Sequence, residues 1–215
     1  MKTNPIWSFF LILLMLNSCI VIKSRKVDDG SAALTKEDST KIFPFDVTTF
    51  HKTYEYSAPS WINFQRIDAG ELKEIIAGRK YSWVMFVASW CPISKKSMIQ
   101  NSHLITRFPE DSIQLIIISQ DLNIKDLQEE LFESNYDHMP YLMNSKKYGT
   151  DEVSKQENFI KDFDKKIPLG RFKQGGVPAN LLFNNNAELL YVTGGGLINC
   201  DTIKKYTSLG CRKNQ

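Results

Sequence analysis

Apolar positions along this chain change their spacing several times, and each change marks an element. Residues 81–88 form one apolar block, and residues 112–119, Ser-Ile-Gln-Leu-Ile-Ile-Ile-Ser, form the clearest strand. Unbroken Ile and Leu in that second block imply burial on both faces, as in the middle of a parallel sheet. Between them, Pro92 to about Phe108 carries helical spacing, with Pro92 in the first turn, where a missing N–H is harmless. Trp61 to Asp68 alternates weakly and predicts a leading strand. Glu71 to Ile76, after Gly70, has helical spacing that Gly78 ends. A helix from about Ile124 to Tyr136, a short run Tyr141-Leu142-Met143-Asn144, and a helix from about Asp151 to Lys166 follow. Residues 180–184 and 188–193 flank Asn184-Asn185-Asn186-Ala187, a hairpin signal. A last helix is predicted from about Cys200 to Leu209.

Strand, helix, strand, helix in that order argues for a parallel layer joined by right-handed crossovers, an α/β class. The N-terminal part reads differently. One cation, Lys2, precedes an apolar run from Ile6 to Leu16 and then Asn17-Ser18-Cys19, the layout of a secretory leader. Leu16-Asn17-Ser18-Cys19 resembles the lipobox of bacterial lipoproteins, which implies a signal peptide over 1–18 and lipidation of Cys19, whose acyl chains hold the protein on a membrane. Residues 19–60 read as the lipidated N-terminus and tether, polar and charged as far as Lys41. Phe43, Pro44, Phe45, Phe50, Tyr54 and Tyr56 then suggest a segment that docks on the domain. Residues 61–215 suit one domain with one core.

A formal net charge of +3, with the lysines spread along 215 residues, gives no case for nucleic acid as a partner. A chain exported to the bacterial cell envelope, periplasmic or outward-facing, sits where cysteines can oxidise. His51, His103 and His138 lie far apart in sequence, and no metal or other cofactor is expected.

The chemistry concentrates in Ser89-Trp90-Cys91-Pro92-Ile93-Ser94, where a strand hands over to a helix. A cysteine there meets the unpaired N–H groups and positive dipole end of the helix, which favour thiolate over thiol. Together with the later Gly176-Val177-Pro178, this segment resembles the active site of the thioredoxin superfamily, closest to its envelope thiol-disulfide oxidoreductases (TlpA-like). The resemblance covers roughly residues 61–210. It implies a thioredoxin-like α/β fold, a central mixed sheet with helices on both faces, built from two parallel strands, a crossover, an antiparallel hairpin and a closing helix. It also implies Cys91 as the attacking cysteine, Trp90 and Pro92 as its flank, and Pro178 as a cis-proline. Val177 would then pair with a bound peptide as an added strand.

Ser94 stands where the family has its resolving cysteine, so Cys91 and residue 94 cannot carry out dithiol reduction. The Ser94 hydroxyl is instead a hydrogen-bond donor for the thiolate. Exchange through Cys91 alone leaves isomerase-like, monothiol reductase-like or capture outcomes, with cysteine-containing envelope proteins or a small-molecule thiol as partners. The acid that some members carry six residues before the cysteine is Met85 here. Lys95 stands where copper carriers on this fold have a second cysteine, and Ala88 where peroxidases have threonine. A rival reading keeps the fold without turnover, as a binding or assembly module working through Trp90 and Pro178. Eleven steps separate Cys200 from Cys211, about 15 Å or more if 201–208 are helical, so a direct disulfide needs a frayed or much shortened helix; Cys200 as a remote resolving partner for Cys91 ranks below that, and two free cysteines are the favoured expectation.

Overall fold

The computed structural model describes residues 39–50, 52–109, 111–121, 123–170, 172, 176–195 and 198–212. Leu16 to Cys19, with the expected lipidation site, and His51 lie outside them. The elements are β1 (Ile42–Phe43), β2 (Phe64–Ile67), α1 (Ala69–Ala77), β3 (Tyr81–Val87), α2 (Pro92–Ile105), β4 (Ile113–Ser119) and α3 (Ile124–Glu133). After these come β5 (Tyr141–Met143), α4 (Ser145–Tyr148), α5 (Glu152–Lys166), β6 (Ala179–Asn184), β7 (Leu189–Gly194) and α6 (Cys200–Tyr206). Among the described residues, no helix is long and apolar enough to cross a membrane.

The seven strands form one sheet in the order β1-β2-β5-β4-β3-β6-β7. β3 runs parallel to β4 with Tyr81 opposite Ile113 and Val87 opposite Ser119. β6 lies antiparallel on the other side of β3, and β7 antiparallel to β6. Alternation along β3 and β4 shows why both had to be apolar throughout. Val84, Phe86, Ile116 and Ile118 enter one core with Leu72 and Ile76 of α1 and Phe159 and Phe163 of α5. Trp83, Met85, Val87, Leu115 and Ile117 enter a second core with Met98 of α2, Leu127 and Leu131 of α3, and Ile203 of α6. Helices thus cover both faces. The parallel β3–α2–β4 unit, the crossover, the β6–β7 hairpin and the closing α6 are the parts the resemblance implies, and the chain has an α/β, thioredoxin-like fold.

Local chemistry sets the boundaries. Asp68 caps α1 by accepting from the N–H groups of Gly70 and Glu71, while Glu71 Oε2 accepts from Asp68 N–H at 2.6 Å, a reciprocal capping box. Pro92 occupies the first turn of α2. In the hairpin loop, Asn184 Oδ1 accepts from the N–H groups of Asn186 and Glu188, and Ala187 takes a positive φ of 59°.

Three expectations change. The folded unit does not begin at residue 61: Ile42 and Phe43 pair in parallel with Phe64 and Gln65 as an edge strand, so the docking segment is part of the sheet. The run from Tyr141 is a strand inserted between β2 and β4. Finally, α6 stops at Tyr206 and Thr207 is extended (φ −131°, ψ 166°), so the chain doubles back. Cys211 returns to within 5.8 Å, Cα to Cα, of Cys200, and the two are bonded as a disulfide rather than free. The distance estimate failed because it carried the helix three residues too far.

Candidate functional site

The strand-to-helix turn places Cys91 as the N-cap of α2, with φ −100° and ψ 108°. Its Sγ makes no capping hydrogen bond to the helix. The thiol instead donates to the carbonyl oxygen of Val177 at 3.5 Å, a contact that only a protonated sulfur makes. The Val177–Pro178 peptide bond is cis, as the resemblance implies. The two halves of the motif, 86 residues apart, therefore meet.

An attacking cysteine needs a sulfur that clients can reach, and this one is covered. Cys91 is 0% exposed and belongs to the core cluster on the α1 and α5 face, which also holds Val177, Ala179 and Phe159. Ile93 and Phe172 pack against the same cluster. A thiol packed among apolar groups and held to a carbonyl is closed to solvent and to a client disulfide. Val177 is 6% exposed and Pro178 is buried, so the edge expected to receive a peptide is covered too. Ser94 is fully buried, and its Oγ accepts from Ala88 N–H at 3.3 Å.

Trp90 is the exception, 47% exposed, with its indole N–H donating to Glu152 Oε2 at 3.0 Å. Pro92 is exposed beside it, and Val153, the neighbour of Glu152 at the start of α5, is 42% exposed. Trp90, Pro92 and Val153 are therefore exposed while the thiol between the first two is closed.

Sequence reasoning found no acid here because it looked inside β3, where Met85 stands. The structure supplies one from β4. Val87 lies opposite Ser119, which carries residue 121 to the level of residue 89, and Asp121 Oδ2 accepts from Ser89 N–H at 2.7 Å. Asp121 is 3% exposed, and burial pushes its carboxyl up to about 6, against the lowering effect of hydrogen bonds from Ser119 and Ser89. Ser119 Oγ lies 2.7 Å from Asp121 Oδ2 and 3.2 Å from Val87 O. A hydroxyl has one proton for these two acceptors, and protonated Asp121 removes the shortage by donating to Ser119 while Ser119 turns to Val87. The available signal was the polar trio Ser119-Gln120-Asp121 ending the most apolar strand.

Other charges gather around this turn. Burial pushes Glu130 up to about 7, opposed by Lys95, with the charges of Asp121, Asp126 and Glu133 adding to the rise. Lys155 is 1% exposed, and burial lowers its pKa against the opposing charges of Glu152, Asp121 and Asp151. Cys200 is tied to Cys211 and is not placed to resolve a bond at Cys91. His138 precedes β5 and so sits at the amino ends of the parallel strands, away from Cys91 at their carboxyl ends. Among the described residues, no three His, Cys, Asp or Glu side chains group to hold a metal ion.

No protein-family model matches the chain, and no curated protein matches it. Solved structures do. StoA from Bacillus subtilis shares 19% identity over 60% of this chain and 82% of its own, with a TM-score of 0.40. The thioredoxin domain of a thiol-disulfide oxidoreductase from Bacteroides vulgatus shares 15% over 60% and 77%, with a TM-score of 0.43. A thiol:disulfide interchange protein of the thioredoxin family from Chlorobium tepidum shares 16% over 60% and 79%, with a TM-score of 0.40. Likeness at this level transfers no activity, and the fold assignment stands on the sheet order and register.

Proposed function

We propose that this chain is a thioredoxin-fold docking module of the bacterial cell envelope. It is held on the membrane by a lipid at Cys19 and binds client proteins through the surface of Trp90, Pro92 and Val153. The observation that carries this reading is the complete burial of Cys91 next in sequence to an exposed indole. A sealed thiol bonded to a carbonyl is a packing group, whereas a solvent-facing tryptophan fixed by a carboxylate is a preorganised contact of the kind that dominates interfaces. The Cys200–Cys211 disulfide agrees with an oxidising compartment.

Alkylation of the native protein tests it. If Cys91 reacts only after a local opening costing about 3 kcal/mol, labelling is slowed on the order of 100-fold relative to a free thiol. Capture of clients from envelope extracts should survive both added reductant and Cys91→Ala, and should be lost with Trp90→Ala. Capture that vanishes with Cys91→Ala would overturn the docking reading.

Thiol exchange through Cys91, isomerase-like or monothiol reductase-like, has one observation in its favour. The sulfur lies at the N-cap of α2 and within reach of the cis Val177–Pro178 turn. Native alkylation at the rate of an ordinary exposed thiol would show that the cover opens freely, and would move the conclusion to exchange with cysteine-containing clients.

A further inference from the structure

The opposite end of the sheet holds a cavity that neither reading uses. The last turns of α2, the start of β4 and the loop after α3 enclose about 330 Å3. This is near the lower end of the roughly 300–1,000 Å3 typical of small-molecule sites, and room for about ten waters. Its apolar wall includes Ile105 and Phe108, and its cations are Arg79 and Arg212. The Arg79 side chain is only 19% exposed, yet among the described residues its hydrogen-bond and ion-pair partner is Asp111, whose own side chain is 89% exposed. Arg212 is positioned by its neighbours: its guanidinium donates to Phe108 O at 2.9 Å, its backbone N–H donates to Arg107 O, and the preceding Cys211 is bonded to Cys200.

Two further features point to a ligand. Ser102 lines the cavity at 6% exposure, and its Oγ has no hydrogen-bond partner among the described residues. A buried hydroxyl left unpaired is an uncompensated loss that an acceptor in the cavity would remove. The one lining acid, Asp137, is engaged by His138 Nδ1 at 2.6 Å, Arg79 is held by Asp111 from outside the lining, and Arg212 has no ion-pair partner among the described residues.

We propose that this cavity binds a small organic anion, a ring or branched apolar body bearing one carboxylate or phosphate group, with Arg79 and Arg212 receiving the head group and Ile105 and Phe108 flanking the body. Arginine suits this role because its planar donors match both oxyanions.

Titration of the full-length chain, purified with its disulfide formed, tests the site with benzoate and phenyl phosphate as probes and benzamide as the uncharged control. At least one anion is expected to bind 10-fold or more tighter than benzamide, with the largest amide shifts at Thr106, Asn135 and Arg212. Arg79→Gln and Arg212→Gln should each weaken that anion about 10-fold or more and leave benzamide unchanged. Preference for benzoate or for phenyl phosphate identifies the head group. Binding of anion and amide alike, shifts centred elsewhere, or no binding of either anion at millimolar concentration would overturn the proposal. The comparison of anion with amide in the native protein decides the matter even if a variant fails to fold.

Discussion

Asp121→Asn should change how the stability of this protein depends on pH, in a direction the structure fixes. The carboxyl ionises near 6 in the fold, against an ordinary value of 3.8, because it is buried. Between those values the native state holds a proton that the unfolded chain has released, so stability falls as pH rises through this window. The whole effect is about 3 kcal/mol, fully developed above roughly pH 6.5 and absent below roughly pH 3.5. Asparagine keeps an oxygen to accept from Ser89 N–H and cannot ionise. The stability of the variant relative to the native chain should therefore rise by about 2.5 kcal/mol between pH 4 and pH 7, measured by urea unfolding followed through tryptophan fluorescence. Glu130, which burial also raises, is present in both proteins and largely cancels from the difference. A difference that stays flat with pH, or that moves against the variant as pH rises, would refute the assignment of a buried, reluctantly ionised carboxyl at the base of the cysteine turn.

Replacing Cys200 and Cys211 by serine opens a loop with a sequence separation of 11. It should lower stability by about 3 kcal/mol, and Tm by roughly 6–12 °C for a domain of this size, read by calorimetry; a Tm within a degree or two of native would mean the bond is not formed in solution. Asp68→Ala removes the cap of α1 and a partner of Lys147 at 2.8 Å. It should cost about 1 kcal/mol in urea unfolding, whereas Asp68→Asn should retain most of the capping. Trp83→Phe keeps most of the buried ring but removes the hydrogen bond from the indole N–H to Asn180 Oδ1 at 3.0 Å. A loss of about 1–2 kcal/mol is expected, and no loss would show that Asn101, which also donates to Asn180, satisfies that oxygen alone.

What could be read in advance was whatever depends on neighbours in sequence. Period and capping gave β3, α2, β4, α5 and the β6–β7 hairpin to within a few residues, because burial on both faces, Pro92, Asp151 and the Asn184 loop each leave a local mark. Strands of two and three residues, β1 and β5, leave no period, and their place in the sheet comes from backbone pairing with β2 and β4. At the site, the motif correctly brought Cys91 to Val177 and a cis Pro178, since that juxtaposition follows from topology. Whether the sulfur reaches solvent depends on side chains up to 86 residues away packing over it, and nothing near Cys91 encodes that cover. Asp121 was hidden for a related reason: a lone acid after a strand looks like a loop residue until the register with β3 sets it beneath Ser89.

The two-residue β1 also has a mechanical consequence. It sits at one rim of the sheet, paired with Phe64 and Gln65 and packed through Ile42 into the second core, so any tension arriving along the polypeptide from its amino-terminal side loads those few contacts before it reaches β3 or β4. Peeling such a rim strand gives up two residue pairs and one buried isoleucine while β3 and β4 stay paired, a sacrificial link that yields first and spares the body.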